Sequence, residues 1–154
     1  MQLKEIMTTD YHVIPHNATV QEAAKMMRDY DVGLLPVTEN GKMIGTVTDR
    51  DITVRAVANG GDTSRIPVSK AMTASLVYTF EDTDVSEAAQ LMEDRHVRRL
   101  IVANRARQPV GVVSLGDLAR TRDNEVLAME VLREVSRPGP QTAPRQTRQP
   151  RRHQ

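Results

Sequence analysis

The chain has 154 residues, 39% of them apolar, no cysteine, and a formal net charge of +1. At roughly 100–200 residues per domain it holds one compact domain or two small ones. The missing cysteine excludes a disulfide scaffold, a thiolate zinc site and a cysteine nucleophile. No apolar run approaches the roughly 20 residues of a membrane span, and no signal-peptide core opens the chain, so a cytoplasmic protein away from membranes is expected. Three tyrosines and one phenylalanine are too few for a single-strand stacking platform.

The predicted elements run as follows. Residues 11–14 read as a short extended piece. Val20, Ala23, Ala24 and Met27 fall at i, i+3, i+4 and i+7, which predicts a helix over about 20–30. Thr19 and Glu22 form its capping box. A strand at 34–38, a hairpin turn at 39–42, a strand at 43–47 and a helix over about 49–59 follow. Asn59-Gly60-Gly61-Asp62 stops that helix before a linker at 63–69. A second set begins with an extended piece at 76–79. Val85, Ala88, Ala89 and Met92 predict a helix over about 85–95, capped by Asp84 with Glu87. Strands at 99–103 and 110–113 and a helix at 115–122 complete the set. Leu127, Val131 and Val135 predict one more helix.

From Arg137 the composition changes. Residues 137–154 hold four prolines, five arginines, no acid and one apolar side chain, Ala143. This stretch reads as a disordered basic tail. Its charges would support only weak, salt-sensitive binding to nucleic acid or an acidic partner; the plainer alternative is a solvated tail without a partner. All 20 acids lie in residues 1–136 with 16 of the 21 Lys and Arg, so a mildly acidic body carries a basic arm.

The body repeats itself. Ile6-Met7-Thr8 returns as Ala71-Met72-Thr73, and Thr19-Val20-Gln21-Glu22-Ala23-Ala24 as Asp84-Val85-Ser86-Glu87-Ala88-Ala89, both at an offset of 65. Gly45-Thr46-Val47-Thr48 returns as Gly111-Val112-Val113-Ser114 at 66. The extra residue falls in the hairpin turn, where insertion is tolerated best. Each copy is a β-α-β-β-α unit with too few strands to bury both faces alone. The expected fold class is therefore α/β (α+β): two such repeats packed sheet to sheet with pseudo-twofold symmetry and a cleft between them. The expected organisation is a first unit at 1–62, a linker at 63–69, a second unit with the last helix at 70–136, and the tail at 137–154.

The order Ile/Ala-Met-Thr, Thr/Asp-Val-x-Glu-Ala-Ala, Val-x-x-Leu-x-Val and Gly-x-x-Thr/Ser-x-x-Asp resembles the cystathionine β-synthase (CBS) domain. Two in tandem resemble a Bateman module, and the chain is similar to stand-alone bacterial proteins made of little else. The resemblance covers about residues 3–122. It implies a regulatory module binding adenosine-containing ligands such as AMP, ADP, ATP, NAD or S-adenosylmethionine. It also implies a homodimer formed by CBS-pair packing, and a regulated protein partner. No cofactor is required; a regulatory adenine nucleotide (AMP, ADP or ATP) is expected.

Thr48 and Ser114 fall at strand-to-helix junctions, with Asp51 and Asp117 three residues on. A carboxylate presents two acceptor oxygens to the hydroxyls of a ribose, and the resemblance implies that role for the aspartates and a place near the phosphate for Thr48 and Ser114. The same spacing is also a plain capping box, and the two roles are compatible. For the adenine slot, the resemblance implies Met7, Val13, Val32 and Gly33 at the Asp117 site, and Met72, Val77 and Val97 at the Asp51 site; ordinary core packing is the alternative for each. Arg98 and Arg99 stand where the first copy has Gly33 and Leu34; the resemblance implies that basic residues at this place meet a phosphate, which makes the Asp117 site the expected phosphate binder if they reach it. Their alternatives are a solvated strand entry or an ion pair across a dimer interface. Arg50 either neutralises Asp49 and Asp51 or meets a phosphate itself. His12 and His16 have metal-like spacing, but the extended Val13-Ile14-Pro15 between them argues against a shared face, and no metal site is expected. No Ser/His/Asp arrangement has a catalytic context and no phosphate loop is present, so no enzyme is expected. The alternatives to ligand sensing are a ligand-free dimerisation or interaction module, and a nucleic-acid-associated protein using the tail.

Overall fold

The computed structural model describes residues 1–138, so the expected basic tail lies outside the described residues from position 139 onward. In the first repeat, β1 (Ile14–Pro15) runs parallel to β2 (Leu34–Glu39), which pairs antiparallel with β3 (Lys42–Thr48). Parallel neighbours need a crossover, and α1 (Val20–Tyr30) supplies it. The β2–β3 turn places Asn40 at φ 51° and Gly41 at φ 75°, the paired positive angles of the tightest hairpin turns. The second repeat follows the same path with β4 (Tyr78–Phe80), α3 (Val85–Arg95), β5 (Arg99–Ala103) and β6 (Pro109–Ser114). The result is two three-stranded mixed sheets flanked by helices, the α+β pair of repeats expected from the sequence.

The helices depart from expectation in detail. After β3, α2 (Asp49–Asp51) passes directly into a π-helical stretch, Ile52–Val57. Its wider turn is visible in the Ala58 amide, which donates to the Thr53 carbonyl five residues back at 2.9 Å. After β6, α4 (Leu115–Ala119) is short, and α5 (Glu125–Val135) packs on α3 and α4. Thr19 and Glu22 form the predicted reciprocal cap. The box predicted for Asp84 and Glu87 does not form. Asp84 instead accepts from the Ser86 amide at 2.9 Å and its hydroxyl at 2.7 Å.

These two Ser86 bonds, hydroxyl first, hold the Asp84 carboxyl below the usual carboxylate range. A lowered folded-state pKa stabilises above the unfolded pKa and is lost as pH falls through the folded value. Asp84→Ala is therefore expected to melt below the parent at pH 7, and that gap is expected to close as the pH falls below the carboxylate range.

The repeats are interlocked at their openings. Leu3 is fully buried among Val85, Ala88, Met92 and Leu118 of the second repeat, while its counterpart Val68 is fully buried among Val20, Leu35 and Val47 of the first. The segments that follow complete the sheets. Thr8 exchanges both backbone hydrogen bonds with Val112 at 2.8 and 2.9 Å, and Thr73 does the same with Thr46 at 2.8 and 3.0 Å. Each sheet thus gains an extra extended segment, along β3 or β6, from the opening of the other repeat.

This seam explains Gly45 and Gly111, one residue before each bridge. A Cβ on Gly45 would lie 2.4 Å from the Thr73 carbonyl oxygen, and one on Gly111 would lie 2.9 Å from that of Thr8. Backbone cannot swing aside as a side chain can. Gly45→Ala should cost about 1–3 kcal/mol by overpacking, read as a lower urea midpoint at unchanged slope. Gly116→Ala, where the nearest atom would be Ser114 Oγ at 3.5 Å, should be neutral or stabilising and serves as the control.

Candidate functional site

The two strand-to-helix junctions face a cleft between the repeats. Thr48 caps the turn that follows β3. Its amide donates to Asp51 Oδ2 at 3.0 Å, and its Oγ1 accepts from the Asp51 amide at 3.1 Å. Ser114 and Asp117 repeat the arrangement, with the Ser114 amide 2.7 Å from Asp117 Oδ2 and the Asp117 amide donating to Ser114 Oγ at 3.2 Å. Both are true capping boxes. Each box employs only Oδ2. The other oxygen of Asp51 has Arg55 Nη2 at 4.0 Å, and that of Asp117 is held by Arg120 Nη2. Capping therefore leaves one carboxylate oxygen per junction for a further partner. Asp117 is 7% exposed, whereas the Arg120 side chain that covers it is 74% exposed. The lid on that oxygen is a solvated arginine.

A cavity opens over each aspartate. That at Asp117 is about 290 Å³ and is lined by Val32, Gly33, Arg99 and Ser114 among others; that at Asp51 is about 640 Å³ and is lined by Thr48, Arg50, Val77, Val97, Arg98 and Arg99. They are equivalent through the repeat. Thr8, Asp10 and His12 line the first where Thr73, Ser75 and Val77 line the second. The entrances match as well. Asp31 and His96 end α1 and α3 in left-handed conformation, at φ 53° and 52°, and turn the chain so that Val32 and Val97 reach the cavities. Each cavity combines a carboxylate oxygen, an apolar wall and guanidinium groups. That set can accept hydroxyls, cover a flat ring and meet an anion.

Three expected adenine-slot residues lie elsewhere. Met7 turns to Gly111, with its sulfur 2.8 Å from where a Cβ would be. Met72 packs on the first core, and its carbonyl accepts from Arg55. Val13 lines a separate hollow with Tyr11, Thr38 and Pro109. In the openings, Thr8, Asp10, Tyr11 and His12 reach the first cavity, as Thr73, Ser75 and Val77 reach the second. The arginines also divide differently. Arg98 lines only the Asp51 cavity, while Arg99 lines both, as does its repeat counterpart Leu34. Position 34/99 sits where the pseudo-twofold axis makes one wall serve two cavities. The residues that sequence reasoning missed are chiefly Asp10, His12, Asp31 and Arg120 at one cavity and Asp49 at the other. The offset of 65 would have paired Asp10 with Ser75, and Arg120 follows Asp117 by one helical turn.

Comparison with known proteins accords with this geometry. The CBS domain family matches residues 3–57 and 68–124. The CBS domain-containing protein YhcV of Bacillus subtilis is 38% identical over 134 residues, 87% of this chain and 94% of the relative. CBS domain protein PAE2072 of Pyrobaculum aerophilum, solved in complex with AMP, matches with a TM-score of 0.74 at 26% identity over 84% of this chain and 99% of its own. The CBS domain pair of protein MJ0100, solved with 5′-methylthioadenosine and S-adenosylmethionine, matches with a TM-score of 0.70 at 25% identity over 78% and 94%. Both repeats, with their swapped openings and paired cavities, fall inside these matches, and the chain belongs to the CBS domain family as a tandem pair.

Proposed function

We propose that this protein is a regulatory, ligand-sensing module that binds adenosine-containing ligands in the cleft between its repeats. The observation that carries the reading is the pair of equivalent cavities, each with an aspartate oxygen left over from its capping box. In this reading Asp51 and Asp117 accept from ribose hydroxyls. Val32 and Gly33 on one side, and Val77 and Val97 on the other, cover the adenine. Thr48, Ser114 and the arginines attend the 5′ group. Two structural relatives, one solved with AMP and one with 5′-methylthioadenosine and S-adenosylmethionine, support the ligand class. A second copy of the chain completes the reading: Val54 and Val57 of the first repeat and Val126, Met129 and Leu132 of α5 are exposed apolar side chains that a homodimer would cover.

Binding to the folded state alone raises stability by RT ln(1 + [L]/Kd). Ligand at ten times its Kd gives about 1.4 kcal/mol, which is roughly 3–6 °C for a domain of this size. Melts with adenosine, AMP, ADP, ATP, NAD and S-adenosylmethionine are expected to show such a shift for at least one of them, and none with the cytidine counterparts. Unshifted melts with every ligand at millimolar concentration would favour a ligand-free interaction module, in which the boxes only cap helices.

A further inference from the structure

The two cavities share a plan but not a charge. Arg50, Arg98 and Arg99 face Asp49 and Asp51 in the Asp51 cavity, an excess of one cation. In the other, Arg99 and Arg120 face Asp10, Asp31 and Asp117, an excess of one anion. The arginines also differ in their commitments. Arg120 is taken up by the Asp117 carboxylate. Arg50, Arg98 and Arg99 form no side-chain ion pair among the described residues. Their guanidinium groups keep their donors for an incoming anion.

Size points the same way. The Asp51 cavity has about 640 Å³ against about 290 Å³ for its counterpart. A phosphate monoester adds a charge of about −1.5 to −2 at neutral pH and three strong acceptor oxygens. It gains from the first cavity and is opposed by Asp10 and Asp31 in the second. An adenosine whose 5′ group is neutral or cationic has no such quarrel with the second cavity.

Resting on the ligand reading above, we propose that the cavities select different charge classes. The Asp51 cavity takes a 5′-phosphorylated adenosine, and the Asp117 cavity takes an adenosine without phosphate. This reverses the preference expected from sequence, because Arg98 lies in the Asp51 cavity and Arg120 is spent on Asp117. Arg99, on the shared wall, goes with the phosphate.

Titration calorimetry of the full chain with AMP and with 5′-methylthioadenosine tests this, since the two differ at the 5′ group alone. R50Q/R98Q should weaken the tighter AMP step at least tenfold and change 5′-methylthioadenosine binding less than threefold. D10N/D31N should strengthen the weaker AMP step at least threefold; asparagine also tolerates the left-handed backbone at position 31. Rising salt should weaken AMP and spare the thioether. The proposal is overturned if R50Q/R98Q leaves AMP unchanged or weakens both ligands equally, or if R120Q alone removes the tighter AMP step. In those cases adenosine ligands still bind and only the charge assignment falls. If neither ligand binds at millimolar concentration, the ligand reading itself falls and this assignment with it.

Discussion

Leu3→Ala should destabilise the protein by about 2–5 kcal/mol, the usual cost of truncating a fully buried leucine. Position 3 stands near the chain's beginning, where terminal residues of most domains are poorly ordered and tolerant, so a neutral outcome would be the naive expectation. Here Leu3 is fully buried against α3, β5 and α4 of the second repeat, and its amide donates to the Thr83 carbonyl at 2.9 Å. The loss is expected in urea melts as a lower midpoint. Met1→Ala, two residues earlier and half exposed, should change little. Because the same segment carries Thr8 to the Val112 edge, Leu3→Ala should also raise hydrogen exchange at the Thr8 and Val112 amides. Near-parental stability in Leu3→Ala would mean that the exchanged openings do not hold the repeats together.

Asp117→Asn should remove one ligand-binding event while sparing the fold. The asparagine oxygen can still accept from the Ser114 amide, which keeps the cap. The Arg120 pair that is lost has a largely solvated partner, and such pairs contribute about 0–1 kcal/mol. A ribose hydroxyl bonded to a carboxylate is a charge-assisted contact worth about 1.5–3 kcal/mol, or roughly 10–150-fold in affinity. Circular dichroism should therefore match the parent, with one of two binding steps weakened by at least tenfold. Asp51→Asn should weaken the other step. Two single variants that each bind as the parent does would contradict the ribose role of both aspartates.

Much of this was legible in the sequence because the chain states it twice. The offsets of 65 and 66 carry the correspondence of elements, from the capped helices to the Gly-x-x-Thr/Ser-x-x-Asp junctions. The lost readings turn on direction rather than identity. The resemblance implies Met7, Met72 and Val13 for the cavities, but Met7 turns to Gly111, Met72 packs on the first core and Val13 lines a separate hollow, placements set by the pairing of the openings with β3 and β6 through the Thr8–Val112 and Thr73–Thr46 bridges. Those bridges join residues about 27 and 104 positions apart, beyond any local pattern. Arg98 and Arg99 are adjacent in sequence and both line the Asp51 cavity, with Arg99 reaching the other cavity as well. The π-helical turn at Ile52–Val57 has no apolar periodicity of its own. The Asp84 cap chose Ser86 over Glu87, a competition between two donors that spacing does not rank.

The most direct test is an amide nuclear magnetic resonance map of the isotopically labelled full chain titrated with AMP and 5′-methylthioadenosine. Perturbations are expected to concentrate at the cleft, on the amides of Gly33, Thr48, Asp51, Val97, Ser114 and Asp117. A spectrum that does not change, or changes confined to the hollow around Val13 or to the outer face of α5, would contradict a ligand-sensing cleft.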